Sequence, residues 1–203
     1  MHEPFAAALN QMTPADAVMQ LASGTVELGL DDAPEFSRWC WFADVLDSEW
    51  GLTGRLPAAD HDALHQLEHV SRMCRRSRQG TLSPDEWRVA YQATETVANR
   101  SAVTGTEETY LALSAANDIA LECLDELHPD FTVAVVLAFE SLTACAVDSA
   151  MARLWISRAV TEWAIRTRPV VGDRHYRRTS PFRDNPSTAS IVVGGYSESA
   201  VGT

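Results

Sequence analysis

The four residues Ser83-Pro84-Asp85-Glu86 constrain the fold of this chain more than any others. A hydroxyl at the N-cap, proline at the first helical position and glutamate at the third make a capping box, an arrangement that satisfies free N–H groups at the start of a helix. The residues behind it keep step. Trp87, Ala90, Tyr91, Thr94, Val97 and Ala98 fall on one face at helical spacing. Thr13-Pro14-Ala15-Asp16 repeats the start signal near the N-terminus, and Asp32-Ala33-Pro34-Glu35 gives a third version of it. No segment alternates apolar and polar residues as a half-buried strand does. The expected fold is therefore all-α, a bundle of about five or six helices.

Start and stop signals divide the chain. A short helix is expected over 4–11, a second from Thr13 to near Gly24, a third from Asp32 to Trp50 with Gly51 as its stop, and a fourth over 58–79 before Gly80. After the capping box, a helix over 106–127 ends at His128-Pro129, because a residue before proline avoids the helical region. Residues 131–166 read as one long helix with room for a break at Asp148-Ser149, and Thr25 to Asp31 fits no pattern. From Pro169 onward periodicity is lost among arginines, prolines and small residues. Residues 1–168 are thus expected to form the helical domain and 169–203 a flexible tail.

Of the 203 residues, 46% are hydrophobic, enough for a sizeable core. All 16 basic residues are arginine. The absence of lysine excludes a lysine Schiff base or a phosphate-loop lysine, and it suggests the codon usage of a high-GC bacterium. Residues 1–165 hold 25 of the 28 acids and 10 of the 16 arginines, whereas the remaining residues carry a net positive charge. A body so acidic repels phosphate backbones, so no nucleic-acid partner is expected. Met1-His2-Glu3 lacks the basic start of a secretion signal, and no run approaches the ~20 apolar residues of a membrane span. A cytoplasmic protein with no membrane partner is the expectation. Cys40, Cys74, Cys123 and Cys145 are widely spaced and lie in apolar helical patterns, which fits reduced thiols used for packing.

Few residues suggest chemistry. His61, His65 and His69 form a ridge at i, i+4 and i+8, the spacing at which neighbouring imidazoles share a metal on a helix. Leu64, Leu67, Ser71 and Cys74 mark the core stripe of the same helix, which turns the ridge towards solvent and makes it a weak metal candidate. Glu140 and Asp148, about 80° apart on a continuous helix, with His128 nearby in sequence, are the alternative catalytic or metal-binding set. No nucleophile elbow, dinucleotide fingerprint or phosphate loop is present, and no cofactor is expected. Trp39, Trp41 and Trp50 crowd one segment, where they serve as core or as partner anchors. Ile191, Val193 and Tyr196 form an apolar island in the tail. Asn117 falls among apolar residues of its helix, Tyr110, Leu113, Ala120 and Leu121, where it needs a hydrogen-bond partner.

At the level of fold this pattern is similar to small bacterial bundles, immunity-type proteins and ligand-binding bundles among them, and fold alone fixes no function. The expected function is a non-enzymatic protein- or peptide-binding role, accessory or immunity-type, with a protein or peptide, or another copy of the chain, as partner. A small helical-bundle enzyme or metal protein built on Glu140, Asp148 and His128 is one alternative. A carrier whose tail is modified or cleaved is the other.

Overall fold

The computed structural model of the protein describes residues 3–30, 33–80, 82–124 and 131–168. Among them are eight α-helices and no strand: α1 (Glu3–Gln11), α2 (Pro14–Ala22), α3 (Glu35–Leu46), α4 (His61–Ser77), α5 (Pro84–Thr104), α6 (Glu107–Glu122), α7 (Thr132–Cys145) and α8 (Ser149–Arg166). The fold is all-α. The seven segments that the start and stop signals delimit all form helices, and the division of residues 131–166 into α7 and α8 makes the eighth.

Two of the three start signals cap as the sequence puts them; the third does not, since α3 begins at Glu35 with Pro34 at its N-cap and no side-chain cap bond. Thr13 accepts the Asp16 N–H, and Ser83 and Glu86 close the reciprocal box at the head of α5. The break between α7 and α8 has a specific cause. Ala146 is extended, and Asp148, also extended, accepts the Met151 N–H to cap α8. An aspartate that caps a new helix cannot also lie on the wheel of the old one. The geometric pairing of Glu140 with Asp148 along one helix is corrected accordingly.

Helix α3 ends four residues earlier than its sequence suggests. It stops at Leu46, and a turn with the short 3-10 segment Leu52–Gly54 carries the chain to α4. Its buried face is wide: Trp39, Trp41, Phe42, Ala43, Val45 and Leu46 are inside, while Phe36 is 54% exposed. The Arg78 guanidinium lies over the Phe36 ring, 4.9 Å from its centre, which explains how a phenylalanine is tolerated there.

An aromatic centre holds the main core together. Trp41 meets Phe42, Phe139 and Trp163 at ring-centre distances of 5.3, 6.4 and 5.1 Å. Both indole N–H groups of this centre have carbonyl partners: Trp41 donates to Ala159 O at 2.9 Å and Trp163 to Leu28 O at 2.8 Å. The second bond explains the stretch that fitted no pattern. Residues 25–30 run without regular structure, bury Val26, Leu28 and Leu30, and offer a backbone carbonyl to α8. Buried hydroxyls tie further helices: Ser71 of α4 donates to Ala43 O of α3, and Ser141 of α7 to Glu108 O of α6, both at 2.8 Å. Asp44 of α3 is paired with Arg75 of α4 and Arg166 of α8.

Helix α6 lies between α5 and α7 and also touches α4. It is buried through small residues, Ala112, Ala115, Ala116 and Ala120, with Leu113 and Ile119. Small side chains let three neighbouring helices approach closely. They also rotate the helix relative to the expected face: Tyr110 and Leu121, expected in the core, are 40% and 42% exposed.

Candidate functional site

The histidine ridge is on the surface. His61 and His65 are exposed, His69 is half-buried, and Leu67, Val70, Ser71 and Cys74 form the buried face behind them. Among the described residues no group of three or more His, Cys, Asp or Glu side chains could hold a metal ion. Burial, followed by the charges of Arg72, His65 and Arg76, holds His69 below its ordinary pKa of 6.5. The native state therefore takes up fewer protons at this position than the unfolded chain. The contribution is present above 6.5 and is lost as the pH falls through the lowered native value. Replacing all three histidines with glutamine is expected to change stability at neutral pH by no more than about 0.5 kcal/mol per site. The same variant should lose part of the acid-side slope below pH 6.5. Chemical denaturation at pH 7.5 and at pH 5.5 checks both.

The other candidates are structural or lie elsewhere. Asp148 is a cap, Glu140 is half-buried on α7, and His128 lies outside the described residues. Trp41 is fully buried, Trp39 is 8% exposed and stacks on Trp87 at 5.8 Å, and Trp50 packs half-buried against the core. A partner meeting the closed bundle does not reach Trp41. Ile191, Val193 and Tyr196 also lie outside the described residues.

Three of the four thiols are poorly placed for nucleophilic work. Burial pushes Cys74 and Cys123 well above the ordinary thiol range and Cys145 up to about 11. A protonated thiol is a weak nucleophile. Iodoacetamide at pH 7.5 is expected to label these three cysteines slowly in the native protein and rapidly in denaturant. Fast native labelling of Cys74, which is fully buried, would show that α4 does not pack as described.

What the fold does assemble is a polar seam between α5 and α6. Tyr91 of α5 donates from its hydroxyl to Glu95, one turn on, at 3.1 Å. The Glu95 carboxylate, then burial, raise the Tyr91 pKa, and Asp118 adds to the effect. Asn117 of α6 acts on the same hydroxyl in the opposite sense, lowering its pKa. Asp118 is itself held above the ordinary carboxylate value by burial and by Glu122. Tyr91, Glu95, Asn117 and Asp118 are all half-buried, and the exposed Tyr110 and Leu121 lie on α6 to either side in sequence. Among the described residues no arginine ion-pairs with Glu95 or Asp118. Asn117 was the one member that its sequence context singled out. Tyr91 reads in the sequence as a member of the apolar face of α5, and nothing marks Glu95.

No protein-family model matches the chain, and no curated protein or solved structure shows a significant similarity to it. No helix among the described residues is long and apolar enough to cross a membrane.

Proposed function

We propose that the chain is a non-catalytic protein- or peptide-binding protein of the bacterial cytoplasm, with an accessory or immunity-type role. The observation that carries this reading is the uncovered side of α6. Its neighbours α5, α7 and α4 bury the alanine-rich face and leave Tyr110 and Leu121 in solvent beside a half-buried polar seam. Aromatic and aliphatic side chains beside polar groups are the composition of a binding surface. The surrounding acidity, with a net charge of −12, favours a basic partner through electrostatic steering. Four free cysteines fit a reducing compartment.

The test is site-specific photo-cross-linking in the native host. A photoreactive residue at Tyr110 or Leu121 is expected to give a discrete adduct with one macromolecule, whereas the same residue at exposed Thr161 of α8 gives none. If neither α6 position yields an adduct, the binding reading fails on this face.

A further inference from the structure

Charge is segregated in this bundle. No arginine occurs between Arg100 and Arg153, so α6 and α7 carry Glu107, Glu108, Asp118, Glu122 and Glu140 and no basic residue. Elsewhere acids and arginines are matched: the ion pairs of the described residues lie within and between α3, α4, α5 and α8. Among the described residues Glu107, Glu108, Asp118 and Glu140 enter none of them.

The same two helices share an uncovered side. The Ser141 hydroxyl of α7 donates to Glu108 O of α6 at 2.8 Å, which sets the end of α7 level with the start of α6, so the pair is antiparallel. Leu137 and Val133, four and eight residues before Ser141, then come level with Ala112 and Ala116, four and eight beyond Glu108. Both therefore stand between Tyr110 and Leu121 along the helix pair. Val133 is 51% exposed, and Leu137 and Glu140, on the same stripe of α7, are half-buried. On α6 the stripe is Tyr110, Ser114, Asp118 and Leu121, each one turn from the next. The remaining sides of α6 meet α4 and α5, and those of α7 meet α2 and α8, so the two stripes form one outer face. From Tyr110 to Leu121 it runs about 16 Å, or three helical turns.

Apolar side chains at helical spacing, set among unmatched carboxylates, define what can cover this face. A second copy placed face to face would oppose acid to acid, and nucleic acid would meet the same repulsion. The backbone of α6 and α7 is engaged in its own helical hydrogen bonds, so there is no free edge for an extended strand, and recognition falls to side chains. A helix laid along the groove between two helices, with apolar anchors one turn apart and cations at its flanks, meets both requirements.

We propose that the α6–α7 face binds a basic amphipathic helix of a partner protein, with Tyr110, Leu121, Val133 and Leu137 meeting its apolar side and Asp118 and Glu140 its cations. This rests on the binding reading above and specifies the partner's form and the share of α7 in the site.

The experiment uses the full chain and a fluorescein-labelled peptide of about 18 residues, long enough to be helical alone, with leucines on one face and lysines on the other. Fluorescence anisotropy at moderate salt is expected to show saturable binding. Two altered peptides are expected to bind at least about tenfold more weakly: one with glutamate for every lysine, and one with a central proline that breaks the helix. Tyr110→Ser with Val133→Ser is expected to weaken binding about tenfold or more, as loss of central anchors does. Val89→Ser with Leu154→Ser removes apolar groups at least as exposed, on α5 and α8, and is expected to change it by less than about twofold. Asp118→Asn with Glu140→Gln is expected to weaken it severalfold, whereas an equal charge loss at exposed Glu27 and Glu49 is expected to change it by less than about twofold. No saturable binding, or equal weakening by either control pair, overturns the proposal. So does undiminished binding of the proline peptide, which would mean an extended partner, or a dimer of the chain that Val133→Ser dissolves in sedimentation, which would mean that a second copy covers the face. A photoreactive residue at Val133 is expected to give the same adduct as Tyr110 in the native host. If Tyr110 gives an adduct and Val133 none, α7 is not part of the site, and the proposal fails while the binding reading stands. If neither α6 position gives one, the reading itself has failed.

Discussion

Trp163→Ala is expected to destabilise the protein by about 3–5 kcal/mol, the range for removing a large aromatic from a packed core. The side chain is fully buried on α8 and touches Trp41, whose ring centre is 5.1 Å away. Two effects add. The first is the lost transfer energy and the cavity between α3 and α8. The second is the Leu28 carbonyl, which loses its indole donor at 2.8 Å. Trp163→Phe separates them: it keeps most of the apolar bulk and abandons the hydrogen bond, so a cost of about 1–3 kcal/mol is expected. Urea unfolding followed by far-ultraviolet dichroism measures both. Because residues 25–30 are held through Leu28, the alanine variant should also be cut by protease in that stretch at low denaturant, before global unfolding. A variant with wild-type stability and no new cleavage would mean that the segment is not anchored by α8.

What could be read from the sequence divides along physical lines. Local, directional chemistry was legible: the Thr13 and Ser83 caps and the buried stripes of α4 and α5 are where the residue patterns place them. Packing choices were not. Trp41 and Val45 join Phe42 and Leu46 inside because α3 is covered from more than one side, which a one-face wheel does not anticipate. Helix α6 turns Tyr110 and Leu121 outward because its alanines, nearly silent in a hydrophobicity pattern, are what its neighbours need at close range. Residues 131–166 carried the opposite problem. Their apolar run gave no break, and only Asp148, a residue type with strong N-cap preference, marked it.

The candidate site was less legible still. Histidines and cysteines draw attention because their chemistry is rare, yet His61 and His65 face solvent and Cys74 is sealed in the core. The seam depends on Tyr91, Glu95, Asn117 and Asp118, which are ordinary in sequence and become a set only when α5 folds back on α6. Asn117 was conspicuous because an amide among apolar residues needs a partner. Its side-chain oxygen is buried and has no partner among the described residues, so the pairing that the sequence called for is not seen.

Gly51→Ala is expected to cost at least about 1–3 kcal/mol, the usual penalty for forcing atoms into filled space. The position reads as a helix stop, but α3 has already ended at Leu46, and the backbone at Gly51 is extended rather than left-handed. Its requirement for glycine is steric. A Cβ there would lie 2.8 Å from the Val45 carbonyl oxygen and 2.9 Å from the Ser48 nitrogen, and closer still to the Asp44 carbonyl oxygen. These are backbone atoms at the end of α3, so relief requires moving the helix end. That movement reaches further, because Asp44 holds Arg75 and Arg166 and so ties α3 to α4 and α8. Gly24→Ala is the control. Gly24 has φ +70° with open space around it, so alanine meets only the left-handed backbone penalty of roughly 1–2 kcal/mol. Thermal melting ranks the two, and salt separates their causes. If the Gly51 substitution displaces Asp44 from its arginines, part of its cost is electrostatic and shrinks at high ionic strength, whereas the Gly24 cost does not. A Gly51 variant as stable as wild type would mean that the turn over 47–51 does not pass so close to α3.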